Sequence, residues 1–151
     1  MELEKMVNND IKQAMLARDS RKLEALRAIK AALLLEKTSK SHSPGEISES
    51  TEMHLLQKLV KQRRESADIF LSGGRKDLAE EEIFQAEIIE KYLPKQLSEE
   101  EIRIAIEQII VDLGAKDTKD LGKVMGIATK QLAGKADNRL IADIAKEMLN
   151  P

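Results

Sequence analysis

The chain has 151 residues, a formal net charge of −2, no cysteine and only three aromatic residues, Phe70, Phe84 and Tyr92. Disulfides and thiolate metal sites are excluded. A β-sandwich or barrel, which draws on aromatic and β-branched residues, is disfavoured. The 42% hydrophobic content, rich in Leu, Ile, Ala and Met, predicts an all-α fold.

The first segment, Glu2 to about Leu16, carries Leu3, Met6, Val7, Ile11, Ala14 and Met15 at helical spacing. "ARDS" interrupts it, and Ser20 is the expected N-cap of a second helix with Leu23, Leu26, Ile29, Leu33 and Leu34 on its apolar side. "TSKSHSPGE" reads as an exposed loop. A third helix is expected from about Ser48 to Leu71, its stripe passing through Leu56, Leu59, Val60, Ala67 and Phe70. "SGGRKD" stops it, and a fourth runs from about Asp77 to Tyr92, with Glu80 to Glu82 near its start, where negative charge suits the helix dipole.

"YLPKQLSEEEI" reads as a hinge: Pro94 disfavours helix at Leu93, and Ser98 with Glu101 forms a capping box for a new helix. That helix carries Ile102, Ile106, Ile109, Ile110 and Leu113, and Gly114 is its expected stop. Two more helices follow, about Thr118 to Leu132 and Asp137 to Leu149. The expected organisation is an N-terminal antiparallel helical bundle over residues 1–94 and a smaller three-helix domain over residues 95–151.

Between Gly114 and Arg139 lie four of the seven glycines. A phosphate-binding Walker loop needs four residues between its first glycine and a Gly-Lys-Ser/Thr ending, after a strand. Here seven residues separate Gly126 from Gly134, Ala136 follows Lys135, and the preceding segment is helical in pattern. Capping fits better: Gly134 ends one helix and Asp137 starts the next. Gly122 and Gly126, four apart, suggest a face that another helix approaches closely. The same stretch holds Lys116, Lys119, Lys123, Lys130, Lys135 and Arg139 against Asp117, Asp120 and Asp137. That local cationic excess is a candidate phosphate-contacting face, with Lys116, Lys119, Lys123 and Lys130 sharing one side. A solvated helix face is the other reading of the same charge.

No catalytic constellation emerges from two histidines, His42 and His54, and no metal or cofactor is expected. Arg27 and Arg63 fall beside leucine stripes, which predicts structural ion pairs with Glu82 or Glu24. The alternative is an RNA-binding patch with Arg64, Arg75 and Lys76. No apolar run approaches the roughly 20 residues that span a bilayer, so no membrane partner is expected. "MELEKMVNND" is too acidic and polar for a secretory signal. The expected location is cytoplasmic.

"LRAIKAA", "KQRRESADIF", "GGRKDLAEEE", "YLPKQLSEEEI", "DLGKVMG" and "GKADNRLI" occur in an order that resembles the YqeY, or GatB/YqeY-domain, proteins over essentially the whole chain. Two departures stand out: Gln85 where that family suggests glutamate, and Leu121 where it suggests methionine. The resemblance implies a helical bundle followed by a helical tail domain akin to that of GatB, a subunit of the amidotransferase acting on misacylated Glu-tRNA or Asp-tRNA. It implies tRNA contact, with amidotransferase subunits or an aminoacyl-tRNA synthetase as further partners. The function so implied is a tRNA-binding or accessory module. A protein-interaction adaptor docking on the Gly122/Gly126 face is one alternative. A carbon–nitrogen ligase using glutamine as amido donor, the activity attached to the family, is the other. The scarcity of aromatics argues against stacking on single-stranded bases and favours a folded RNA shape.

Overall fold

The structure, a computed structural model, describes residues 2–39 and 47–150. His42 and most of the expected "TSKSHSPGE" loop lie outside the described residues. Among those described, the fold is all-α, with seven helices, one 3₁₀ turn and no strand. The helices are α1 (Glu2–Leu16), α2 (Ser20–Lys37), α3 (Glu49–Ser72), α4 (Lys76–Glu90), α5 (Glu99–Leu113), α6 (Leu121–Gln131) and α7 (Asn138–Leu149). They divide into two compact units, one ending at Leu93 and one beginning at Pro94.

In the N-terminal unit, α3 and α4 form a hairpin through Gly73–Arg75, α2 packs on both, and α1 packs on α2. The apolar stripes converge on a core in which Val7, Leu26, Ile29, Leu56 and Ile89 are fully buried. Each such side chain contributes about 1.5–3 kcal/mol by leaving water. Polar contacts tie the same helices at the rim. Lys37 donates to Glu4 between α2 and α1, and the Tyr92 hydroxyl donates to Asp10 of α1. Burial, then the bond to Asp10, pushes the Tyr92 phenol far above its ordinary range.

Two boundaries differ from the sequence expectation. Asp19, not Ser20, caps α2, its carboxylate accepting from the Lys22 N–H at 3.1 Å. The reason is the end of α1: Arg18 adopts a left-handed φ of 56°, and the Asp19 N–H donates to the Ala14 carbonyl at 2.9 Å. This reversal brings Asp19 to the capping position one residue early. The expected helix from Thr118 to Leu132 is also broken. Asp117 accepts from the Lys119 N–H at 2.9 Å and opens a 3₁₀ turn, Thr118–Asp120, before α6 begins.

The C-terminal unit packs α5, α6 and α7 against one another around Ile102, Ile106, Val124, Ile141 and Ile144. Its helix ends follow local chemistry. Ser98 Oγ accepts from the Glu101 N–H at 3.1 Å while Glu101 Oε1 accepts from the Ser98 N–H at 3.0 Å. The Ser98 N–H also holds the Glu101 carboxyl below its ordinary value. Gly114 ends α5 with φ 66°, a conformation that side chains beyond glycine adopt at a cost.

Candidate functional site

Lys116, Lys119, Lys123, Lys130, Lys135 and Arg139 are all exposed in the C-terminal unit. Because α6 starts only at Leu121, they do not line one helix as the spacing suggested. Lys116 precedes the 3₁₀ turn, Lys119 lies within it, and only Lys123 and Lys130 share a face of α6. Lys135 sits in the α6–α7 loop and Arg139 in the first turn of α7.

The three aspartates among these cations are turned onto backbone amides. Asp117 accepts from the Lys119 N–H, Asp120 from the Lys116 N–H at 3.0 Å, and Asp137 from the Arg139 N–H at 3.2 Å. Among the described residues none of the six cationic side chains enters an ion pair. Elsewhere some arginines are engaged: Arg103 bridges Glu99 and Glu147 at 3.1 and 3.0 Å, and Arg21 meets Glu81 at 3.0 Å while lying 4.0 Å above the Phe84 ring. Arg27, Lys12 and Lys91 likewise enter no ion pair among the described residues, so the cationic stretch is set apart by the density of its free cations rather than by their lack of partners.

The glycines act differently from one another. Gly134 is buried with φ 74°, in the loop between α6 and α7, and Asp137 caps α7. A Cβ placed at Gly122 or Gly126 would meet no atom within 4 Å. The expected close approach of a helix to these two glycines is thus corrected. Val124 and Ala128 face the core from α6, and the glycines lie on the opposite side of the helix.

The arginine expectations are corrected as well. Arg27 is exposed and forms no ion pair among the described residues. Arg63 is half-buried, but its partner is an amide: Nε donates to Gln85 Oε1 at 3.1 Å, and a terminal nitrogen donates to the Leu59 carbonyl at 3.2 Å. Glu82, one turn before Gln85 on α4, is not the partner. The alternative patch loses two of its cations to local carboxylates, since Arg64 pairs with Glu90 and Arg75 with Asp77.

Lys95 and Gln96 escaped the sequence reading, which noted Gln85 only as a departure from the family pattern. Gln96 Nε2 donates to the Gly134 carbonyl at 2.7 Å and to the Pro94 carbonyl at 2.8 Å. The Leu97 N–H donates to the Lys135 carbonyl at 2.9 Å. Exposed Lys95 is thereby carried to the loop that bears Lys135. Only the adjacency of "PKQLS" to the hinge hinted at this, and spacing along the chain cannot pair two loops.

No group of three or more His, Asp or Glu able to hold a metal occurs among the described residues, and none of their helices is long and apolar enough to cross a membrane. Fold and site together define an all-helical protein of two small units, the second carrying an unpaired cationic surface. Residues 4–149 match the family model described as Yqey-like protein, and the chain belongs to that family.

Its relatives include proteins named altered inheritance of mitochondria protein 41, mitochondrial. The one from Eremothecium gossypii is 36% identical over 88 residues, covering 58% of this chain and 46% of the relative. That of Lachancea thermotolerans is 30% identical over 110 residues, covering 71% and 57%. That of Kluyveromyces lactis is 28% identical over 134 residues, covering 87% and 67%. The chain spans about half the length of the first two relatives. The names of all three carry the word mitochondrial, which overturns the cytoplasmic expectation. That expectation rested on the absence of a membrane span and of a secretory signal pattern, which do not specify a compartment.

Proposed function

We propose that this chain is a tRNA-binding accessory module of tRNA-dependent amidotransfer, contacting RNA through the cationic surface of its C-terminal unit. The observation that carries this reading is the set of six exposed, unpaired cations whose neighbouring aspartates are occupied by backbone amides. A phosphodiester backbone supplies the missing anions, and several dispersed lysines suit sequence-independent contact. The resemblance to GatB-type tail domains selects tRNA among folded RNAs. The test is binding of labelled bulk tRNA to the full chain across a salt series. Affinity should fall steeply with salt, by about 0.7–0.9 units of log–log slope per phosphate neutralised. Lys123→Glu with Lys135→Glu should weaken binding at least tenfold with the fold intact by circular dichroism. Unchanged affinity in that variant would sink the proposal.

One observation favours a second reading, an adaptor for a partner protein. Gly122 and Gly126 present an open helix side next to Ile127, which is 40% exposed. A single protein captured by the chain in ribonuclease-treated extract, and lost in Gly126→Leu, would replace the RNA reading. Conversion of Glu-tRNA to Gln-tRNA by the purified chain with ATP and glutamine alone would instead establish a ligase.

A further inference from the structure

Two loops some forty positions apart are fastened together at one end of the C-terminal unit. The segment before α5 and the α6–α7 loop share the Leu97–Lys135 backbone bond at 2.9 Å and the Gln96–Gly134 bond at 2.7 Å. The seam depends on Gly134: its left-handed φ of 74° and burial direct a carbonyl at the Gln96 amide. Lys95 and Lys135 flank this seam, Arg139 follows in the first turn of α7, and all three side chains are exposed. Three of the neighbouring carboxylates are engaged locally, with Glu99 paired to Arg103, while Glu100 is exposed. Glu101 accepts from the Ser98 N–H, and Asp137 accepts from the Arg139 N–H.

We infer that this seam is a composite phosphate-binding rim, in which Lys95 joins Lys135 and Arg139 on one stretch of RNA backbone and Gln96 is the positioning residue that holds the two loops in register. The inference rests on the RNA-binding reading and deepens it. It places a contact outside the basic stretch, on a segment whose local sequence is acidic, "PKQLSEEE". The Gln96 amide spans both loops with two hydrogen bonds, so the spacing between the lysines is set before RNA arrives. Such preorganisation lowers the ordering cost that flexible lysines otherwise impose on binding.

The experiment uses the full chain and labelled bulk tRNA, read by fluorescence anisotropy over a salt series. Lys95→Gln should weaken binding about three- to tenfold and reduce the log–log slope by about one unit, the signature of one lost phosphate contact. Lys95→Arg should restore both. Gln96→Ala should weaken binding several-fold in the native background and have little effect when Lys95→Gln and Lys135→Gln are already present. That non-additivity separates positioning from general destabilisation. If the unaltered chain binds and Lys123→Glu weakens it, while Lys95→Gln leaves affinity and slope unchanged, the rim is refuted and the RNA reading stands. Additive losses from Gln96→Ala and the lysine changes refute its positioning role. If the unaltered chain does not bind tRNA at all, both fall together.

Discussion

Replacing Gln85 by leucine tests whether a single buried amide anchors α3 to α4. Gln85 is the one buried polar residue among those described, at 8% exposure, and its Oε1 accepts from Arg63 Nε. A hydrogen bond from a charged donor contributes about 1.5–3 kcal/mol, and its loss leaves a half-buried guanidinium short of a partner. Leucine has nearly the same volume, so the cavity contribution is small. The expected loss is therefore about 2 kcal/mol, or roughly 10 °C in melting temperature for a unit of this size. Arg63→Met alone should cost a similar amount by orphaning the amide. Combining the two replaces both partners by apolar groups, and stability should return to within about 1 kcal/mol of the original. Urea unfolding followed by circular dichroism measures all four corners of this cycle. Gln85→Glu should change stability by less than about 1 kcal/mol, since the gained attraction is offset by desolvation of the carboxylate. A leucine variant within about 0.5 kcal/mol of the original, or a double variant that merely sums two losses, would refute the anchoring role.

Two further outcomes follow from the same physical reasoning. Glu52 has a buried oxygen without a hydrogen-bond partner, and burial, then the charge of Glu49, raises its pKa. Its charged form opposes folding, so the penalty grows as pH rises through the folded value and disappears below the ordinary carboxylate value. Glu52→Gln should raise the melting temperature at neutral pH, with the gain fading in acid; an equal gain at both pH values would contradict this. Gly126 lies inside α6 with open space where a Cβ would stand. Gly126→Ala should stabilise the protein by about 0.5–1 kcal/mol, and a destabilised variant would show that something covers that side.

Local chemistry made most helix boundaries legible. Ser48, Ser98 and Asp137 cap their helices with bonds that close within three residues, and Gly114 stops α5 within one turn. Such bonds depend on neighbours already fixed in the chain, so residue type and order suffice to predict them. The Asp19 cap escaped because a left-handed Arg18 decided between two equally good capping residues.

The pairing of side chains belongs to another scale. Arg63 and Gln85 are 22 positions apart, Gln96 and Gly134 are 38 apart, and Asp10 and Tyr92 are 82 apart. Composition announced a cationic stretch, and its aspartates turn to amides no more than four residues away, but only packing decided that no carboxylate of another helix pairs with its lysines among the described residues. The spacing of Gly122 and Gly126 was equally visible in the chain, yet it could not say whether a helix would lie across them. Sequence periodicity places a residue on a side of its own helix. What lies opposite that side depends on how the other helices bury their apolar stripes, and that is settled by the folded core.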